Sequence, residues 1–172
     1  SFRWLWSRLF LFCLCRHRQR SPISVAWRAV VVYKRQERLT PRWAFMHNWL
    51  EDIARLREGG AKVILCSSGS VALGMNMIGE RPETAGLRDK QAAAACGMPL
   101  LLNAYKQVAH EYSFEIAQVL VTLRDLEDRK RFLNTKNTVD RLLDANIMPI
   151  INENDTNNTE ETVHYQHLRA QD

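Results

Sequence analysis

No acidic residue precedes Glu37, although eight of the 24 Lys and Arg residues do: Arg3, Arg8, Arg16, Arg18, Arg20, Arg28, Lys34 and Arg35. The remaining 16 face all 19 carboxylates, so the formal +5 of the chain divides into a basic tail and a body of net −3. Basicity confined to a tail argues against a nucleic-acid partner, and no RNA- or DNA-binding signature accompanies it. Cysteine is sparse too: Cys13, Cys15, Cys66 and Cys96 form no CxxC or Cys/His spacing, and His17, His47, His110, His164 and His167 add no ligand pattern. Buried free thiols and no metal site are therefore expected. The apolar run SFRWLWSRLFLFCLC contains Arg3 and Arg8 and falls short of the ~20 residues of a membrane helix, so no membrane partner is expected. Residues 1–25 are read as a basic, apolar tail and 26–172 as the domain. A cytoplasmic location is expected, with organelle targeting by the Arg-rich start left open. With seven glycines, five prolines and 46% hydrophobic residues in 172, one ordinary globular domain or a piece of a larger one follows.

What is present from residue 28 onward is a regular alternation. RAVVVY (28–33), AKVILC (61–66), EIAQVLVT (115–122) and IMPII (147–151) are short apolar runs of strand type. Between the first two, Trp43, Met46, Leu50, Ile53 and Leu56 recur at intervals of three and four, predicting a helix that Gly59 and Gly60 end. GLRDKQAAAACG and PLLLNAYKQVAHEY read as two helices, the second with Pro99 in its first turn. Leu123 to Ala145 carries apolar residues at helical spacing, and its RDLEDRKRF stretch is expected to pair Asp125 with Arg129 on a solvated face. Strand and helix in alternation imply an α/β fold, a three-layer αβα sandwich with a mainly parallel sheet. If the sheet ended at its fourth strand, that strand would leave an open edge.

Ligands of open α/β sheets bind outside the carboxyl ends of the strands. Two such ends are polar here, SSGS after the second strand and NENDTNN after the fourth. Gly69 lets backbone approach a ligand, and a helix start beside it offers free N–H groups to an anion. Ser67, Ser68 and Ser70 add hydroxyls, although serine at a helix start is commonly just a cap. The Gly-Lys-Ser/Thr ending of a Walker A loop is missing. In the second loop Asp155 can hold an ammonium, while the Asn152 and Asn154 amides both donate and accept. Together they suit a zwitterion such as a free amino acid; an Asx-rich turn after a strand is the plainer alternative. Lys90 is a cation just beyond the first loop, with a surface role as its alternative.

The stretches VILCSSGSVALG, DKQAAAACG and QVLVTLRDLEDRKRFLNTKNTVDRLLDANIMPIINEND, in unbroken order between about Trp49 and Thr159, resemble the glutamate 5-kinases of the amino acid kinase superfamily. The resemblance implies an amino acid kinase-like fold and ATP-dependent phosphorylation, with Mg²⁺, of the γ-carboxylate of L-glutamate in proline biosynthesis. It implies that Ser68 and Asp155 contact glutamate with Asn152 nearby. The family's lysine after the first strand, in a Lys-x-Gly-Ser/Thr motif, meets the phosphates. Lys34 stands near that place and is the candidate for catalysis and phosphate contact, with Gly69 beside it, but Arg35-Gln36 replaces the glycine turn. TVHYQHLRAQD stands where the family's Gly-Asp-Asn-Asp motif would be, and His167 is not assigned the asparagine's role. The nucleotide-binding half lies beyond, so 26–172 is read as the glutamate-binding part of an incomplete domain. Three alternatives stay open: a glutamate 5-kinase seen in part, a non-catalytic relative that binds glutamate or a partner subunit, and an acetylglutamate or aspartate kinase. A homo-oligomer is also left open, and this chain by itself is expected to be inactive as a kinase.

Overall fold

The computed structural model describes residues 23–30, 32–35, 38–41, 43–79 and 84–156, and between 23 and 40 the backbone alone. Cys13, Cys15, His17, His164, His167 and most of the basic tail lie outside the described residues. The elements in chain order are β1 (Ile23–Val30), β2 (Val32–Arg35), β3 (Arg38–Pro41), α1 (Trp43–Glu58), β4 (Lys62–Ser68), α2 (Ser70–Ile78), α3 (Leu87–Glu111), β5 (Ile116–Val121), α4 (Leu123–Glu127), α5 (Arg129–Asp144) and β6 (Met148–Glu153). β1 starts at Ile23, three residues ahead of the expected domain boundary, and the run expected as one strand over 28–33 divides between the end of β1 and the start of β2.

β1, β4, β6 and β5 form, in that order, a parallel sheet. The last strand in sequence therefore inserts between the second and third parallel strands. Among the described residues the outer strands are β1 and β5, so the open edge expected at β6 is not there. β2 and β3 pair separately as an antiparallel ribbon.

The apolar runs are continuous because both faces of the sheet are covered. Side chains of a strand alternate between faces, and β4 shows the division. Val63 and Leu65 join Met46, Leu50 and Ile53 of α1, Leu73 of α2 and Leu101, Tyr105 and Val108 of α3 in one cluster. Ile64 and Cys66 join Val139 and Leu143 of α5, with Val121 and Ile151, in the other. This is the three-layer αβα arrangement the alternation implies.

Three local expectations are corrected. The α1 stripe buries Met46, Leu50, Ile53 and Ala54 but leaves Trp43 and Leu56 exposed, since the helix contacts the sheet over its middle turns. The two helices expected on either side of Pro99 are one 25-residue helix, α3. Proline inside a helix costs about 3 kcal/mol. Here the buried residues run from Ala93, Ala94 and Gly97 through Met98 and Leu101 to Tyr105, so packing on both sides of Pro99 holds the helix continuous. The segment after β5 is instead two helices, broken at Asp128, whose carboxylate accepts from the Arg131 backbone N–H at 2.8 Å and caps α5. The break shifts the register, and Asp125 pairs with Arg131 at 2.9 Å rather than with Arg129.

Candidate functional site

β4 and β6 are adjacent and parallel, with Leu65 opposite Ile150 and Cys66 opposite Ile151, so the segments leaving them emerge at one end of the sheet. After β4, Gly69 adopts φ +112°, a conformation that favours glycine, and turns the chain into α2. Gly69 is the N-cap of α2 and brings no side-chain cap, so the first N–H groups of a nine-residue helix are not consumed by a capping side chain. A positive helix end favours a carboxylate.

After β6 the chain forms a compact turn. The Asn154 N–H donates to the Val121 carbonyl at 2.9 Å, tying the turn to β5, and Thr156 Oγ1 contacts Asn154 Oδ1 at 2.6 Å. Asp155, half-buried, receives a hydrogen bond on Oδ2 from Ser70 Oγ at 3.3 Å. That contact joins the two loops across 85 residues of sequence. An anion-accepting helix start and an anionic side chain thus lie beside each other, a pairing that suits a ligand carrying a carboxylate and an ammonium.

Ser68 and Gly69 sit half-buried at the mouth of this site. Asn152 is placed differently: it is buried, its Nδ2 donates to Met98 Sδ at 3.1 Å, and its Oδ1 accepts from the Glu153 N–H at 2.9 Å. Its side chain supports the turn from the α3 side. Lys34 lies in β2 with its backbone opposite Leu39, and β3 lies against α2. The backbone at Lys34 is therefore extended strand, not a phosphate-cradling turn. Lys90 is exposed on α3.

Three features of the site escaped sequence reasoning. Ser70, treated as one of three equivalent hydroxyls, makes the contact to Asp155. Ser67 is buried and shares a 3.0 Å hydrogen bond with Tyr105 Oη, whose phenol burial pushes well above its ordinary pKa. A tyrosine on an otherwise aliphatic helix stripe was the available signal, because a buried hydroxyl needs a partner. Gly74 and Gly97 set the α2–α3 distance: a Cβ on Gly74 would lie 1.8 Å from the Ala93 carbonyl oxygen, and one on Gly97 1.8 Å from that of Ser70. Among the described residues no group of three or more His, Cys, Asp and Glu side chains could hold a metal ion, so no Mg²⁺ ligand is assigned. No described helix is long and apolar enough to cross a membrane.

Comparison with known proteins places these features in context. The model of the amino acid kinase family matches residues 32–167. The glutamate 5-kinase of Teredinibacter turnerae is 46% identical over 116 residues, which cover 67% of this chain and 31% of that protein. The glutamate 5-kinase of Dinoroseobacter shibae is 46% identical over 122 residues, 69% of this chain and 33% of its own length. That of Cereibacter sphaeroides is 47% identical over 110 residues, 64% and 30% respectively. The chain spans about a third of the length of the curated relatives it matches.

Proposed function

The chain belongs to the amino acid kinase family, and from that premise we propose that residues 26–172 are the glutamate-binding part of a glutamate 5-kinase. In this reading the serine turn and the acid–amide turn hold L-glutamate between them. The observation that carries it is the Ser70–Asp155 contact, which joins the two polar loops at the carboxyl ends of neighbouring parallel strands. The start of α2, with Ser68, receives a carboxylate, and Asp155 receives the ammonium. Asn152 acts from below, holding the turn that carries Asp155.

The reaction belongs to the whole protein. A γ-carboxylate oxygen of glutamate attacks the terminal phosphorus of ATP, the bond to the bridging oxygen breaks, and ADP leaves with its electron pair. The product, glutamyl 5-phosphate, is an acyl phosphate committed to proline biosynthesis. Phosphoryl transfer asks a protein for position and charge stabilisation more than for covalent chemistry, and Mg²⁺ brought with ATP supplies part of that charge. What this chain contributes is the fixed acceptor, held at one end of its sheet. Lys34 and Gly69 are the residues proposed to meet the phosphates, from the ribbon and from the turn.

Calorimetric titration with L-glutamate, D-glutamate and ATP tests the reading. Saturable binding of L-glutamate that Asp155→Ala abolishes, with little response to ATP alone, is the expected result. Equal affinity for both enantiomers, or no uptake of L-glutamate, refutes it. Hydroxylamine trapping tests the incomplete reading: binding without product is expected of a glutamate-binding part, and acyl phosphate formed from glutamate and ATP overturns the expectation that this chain alone is inactive.

A further inference from the structure

The ladder between β4 and β6 stops two pairs in, at Leu65 with Ile150 and Cys66 with Ile151. The next residues, Ser67 and Asn152, are still strand but pair outward, Ser67 with Ala29 of β1 and Asn152 with Leu120 of β5, so no β4–β6 pair ties them to each other. Both side chains lie on the face that packs against α3, and both are tied to it. Ser67 Oγ lies 3.0 Å from Tyr105 Oη, and Asn152 Nδ2 donates to Met98 Sδ at 3.1 Å. All four residues are buried. Met98 and Tyr105 are seven residues apart, two turns along one helix face and roughly 10 Å along its axis.

A role limited to stability accounts poorly for this pattern. A phenylalanine and an alanine would fill the Tyr105–Ser67 space without burying two hydroxyls, and exchanging both partners of a buried hydrogen bond for apolar groups costs little. What the polar pair adds is direction. The hydroxyl fixes Ser67, and through it the left-handed Gly69 and the start of α2. On the other side Asn152, held by Met98, braces the Glu153 N–H and so the turn that carries Asp155.

We propose that Tyr105 and Met98 are positioning residues, the two ends of a strut on α3 that sets the distance between the serine turn and the acid–amide turn where the β4–β6 ladder gives out. The benefit to ligand affinity rests on the reading that L-glutamate binds between these turns; the mechanical claim does not.

The test uses the full chain with Tyr105→Phe, the volume-conserving Met98→Leu, and the double variant. In the absence of ligand, amide hydrogen exchange is expected to accelerate at Ser68 to Ser70 in Tyr105→Phe and at Glu153 to Asp155 in Met98→Leu, with α1 and β5 unchanged. Unchanged exchange at both turns, or acceleration spread over the whole sheet, overturns the strut. In titration with L-glutamate each single variant is expected to bind about fivefold more weakly, the value of one net hydrogen bond. Once one end is free the second matters less, so the double variant is expected to stay below about tenfold, where independent sites at this spacing would multiply to about 25-fold. Full multiplication overturns the coupling. If Tyr105→Phe melts early because Ser67 is left unpaired, Ser67→Ala/Tyr105→Phe restores the melting temperature and keeps the exchange defect; recovery of both shows a stability role and refutes the proposal. If the wild-type chain takes up no glutamate, the functional reading fails while exchange still decides the strut.

Discussion

Substituting Gly97 by alanine should displace the candidate site without altering any residue that lines it. A Cβ there would sit 1.8 Å from the Ser70 carbonyl oxygen and 2.7 Å from the Gly74 nitrogen, against an ordinary carbon–oxygen approach of about 3.3 Å. Both obstacles are backbone in a helix, so no rotamer change relieves them, and α2 must move off α3 by about 1.5 Å to restore normal contact. Overpacking of this kind costs roughly 1–3 kcal/mol, and two backbone obstacles argue for the upper end. At about 2–4 °C per kcal/mol for a chain of this size, the melting temperature should fall by about 6–12 °C. The Ser70–Asp155 hydrogen bond, already 3.3 Å long, would not survive a shift of that size, so L-glutamate binding should be lost as well. Gly79→Ala is the control. It lies at the other end of α2 with φ +80° and, among the described residues, nothing within 4 Å of a new Cβ, so it carries about 1 kcal/mol of backbone strain without pushing the helix. Thermal melting followed by circular dichroism, with glutamate titration, reads both quantities. A Gly97→Ala chain that melts within 2 °C of wild type, or that binds glutamate like the Gly79→Ala control, would refute the reasoning.

Two further outcomes follow from the same geometry. Asp155→Asn keeps an acceptor for Ser70 Oγ but removes the charge; it should leave the unfolding free energy within about 0.5 kcal/mol of wild type while weakening L-glutamate more than glutarate, which lacks the ammonium, in parallel titrations. Asp125 loses hydration on partial burial, which alone would raise its pKa, but hydrogen bonds from Thr122 and from Arg131 hold the carboxyl below its ordinary value. Its stabilising contribution is therefore complete above the unfolded carboxylate range, about pH 4, and is lost as pH falls through the lowered folded value. Denaturation midpoints measured from pH 6 to pH 2 should fall less steeply in Asp125→Asn than in wild type; parallel curves would rule the linkage out.

The strand runs and the two polar loops were legible in the letters because each is a local property. Alternation of apolar runs and helical stripes needs only neighbours within a few residues, and VILCSSGS and IINEND carry their strand and their loop in one stretch. Proline and charge pairing were legible less well. Pro99 reads locally as a helix start, and it became a helix interior because α2 and the sheet bury residues on both sides of it. Asp125 reads locally as a partner of Arg129, and it reached Arg131 because the Asp128 cap broke the helix between them.

By itself, then, the sequence determined the apolar runs of the parallel strands, their alternation with helical segments and the chemistry that the two polar turns carry. Only the tertiary structure decided that β6 enters between β4 and β5, which brings Asp155 to Ser70. It also turned Asn152 and Ser67 inward to α3 and let two glycines hold α2 close. The reason is physical: strand order and helix approach are selected by burial and backbone contact between residues dozens of positions apart, and no periodicity within a segment encodes which distant surface will cover it.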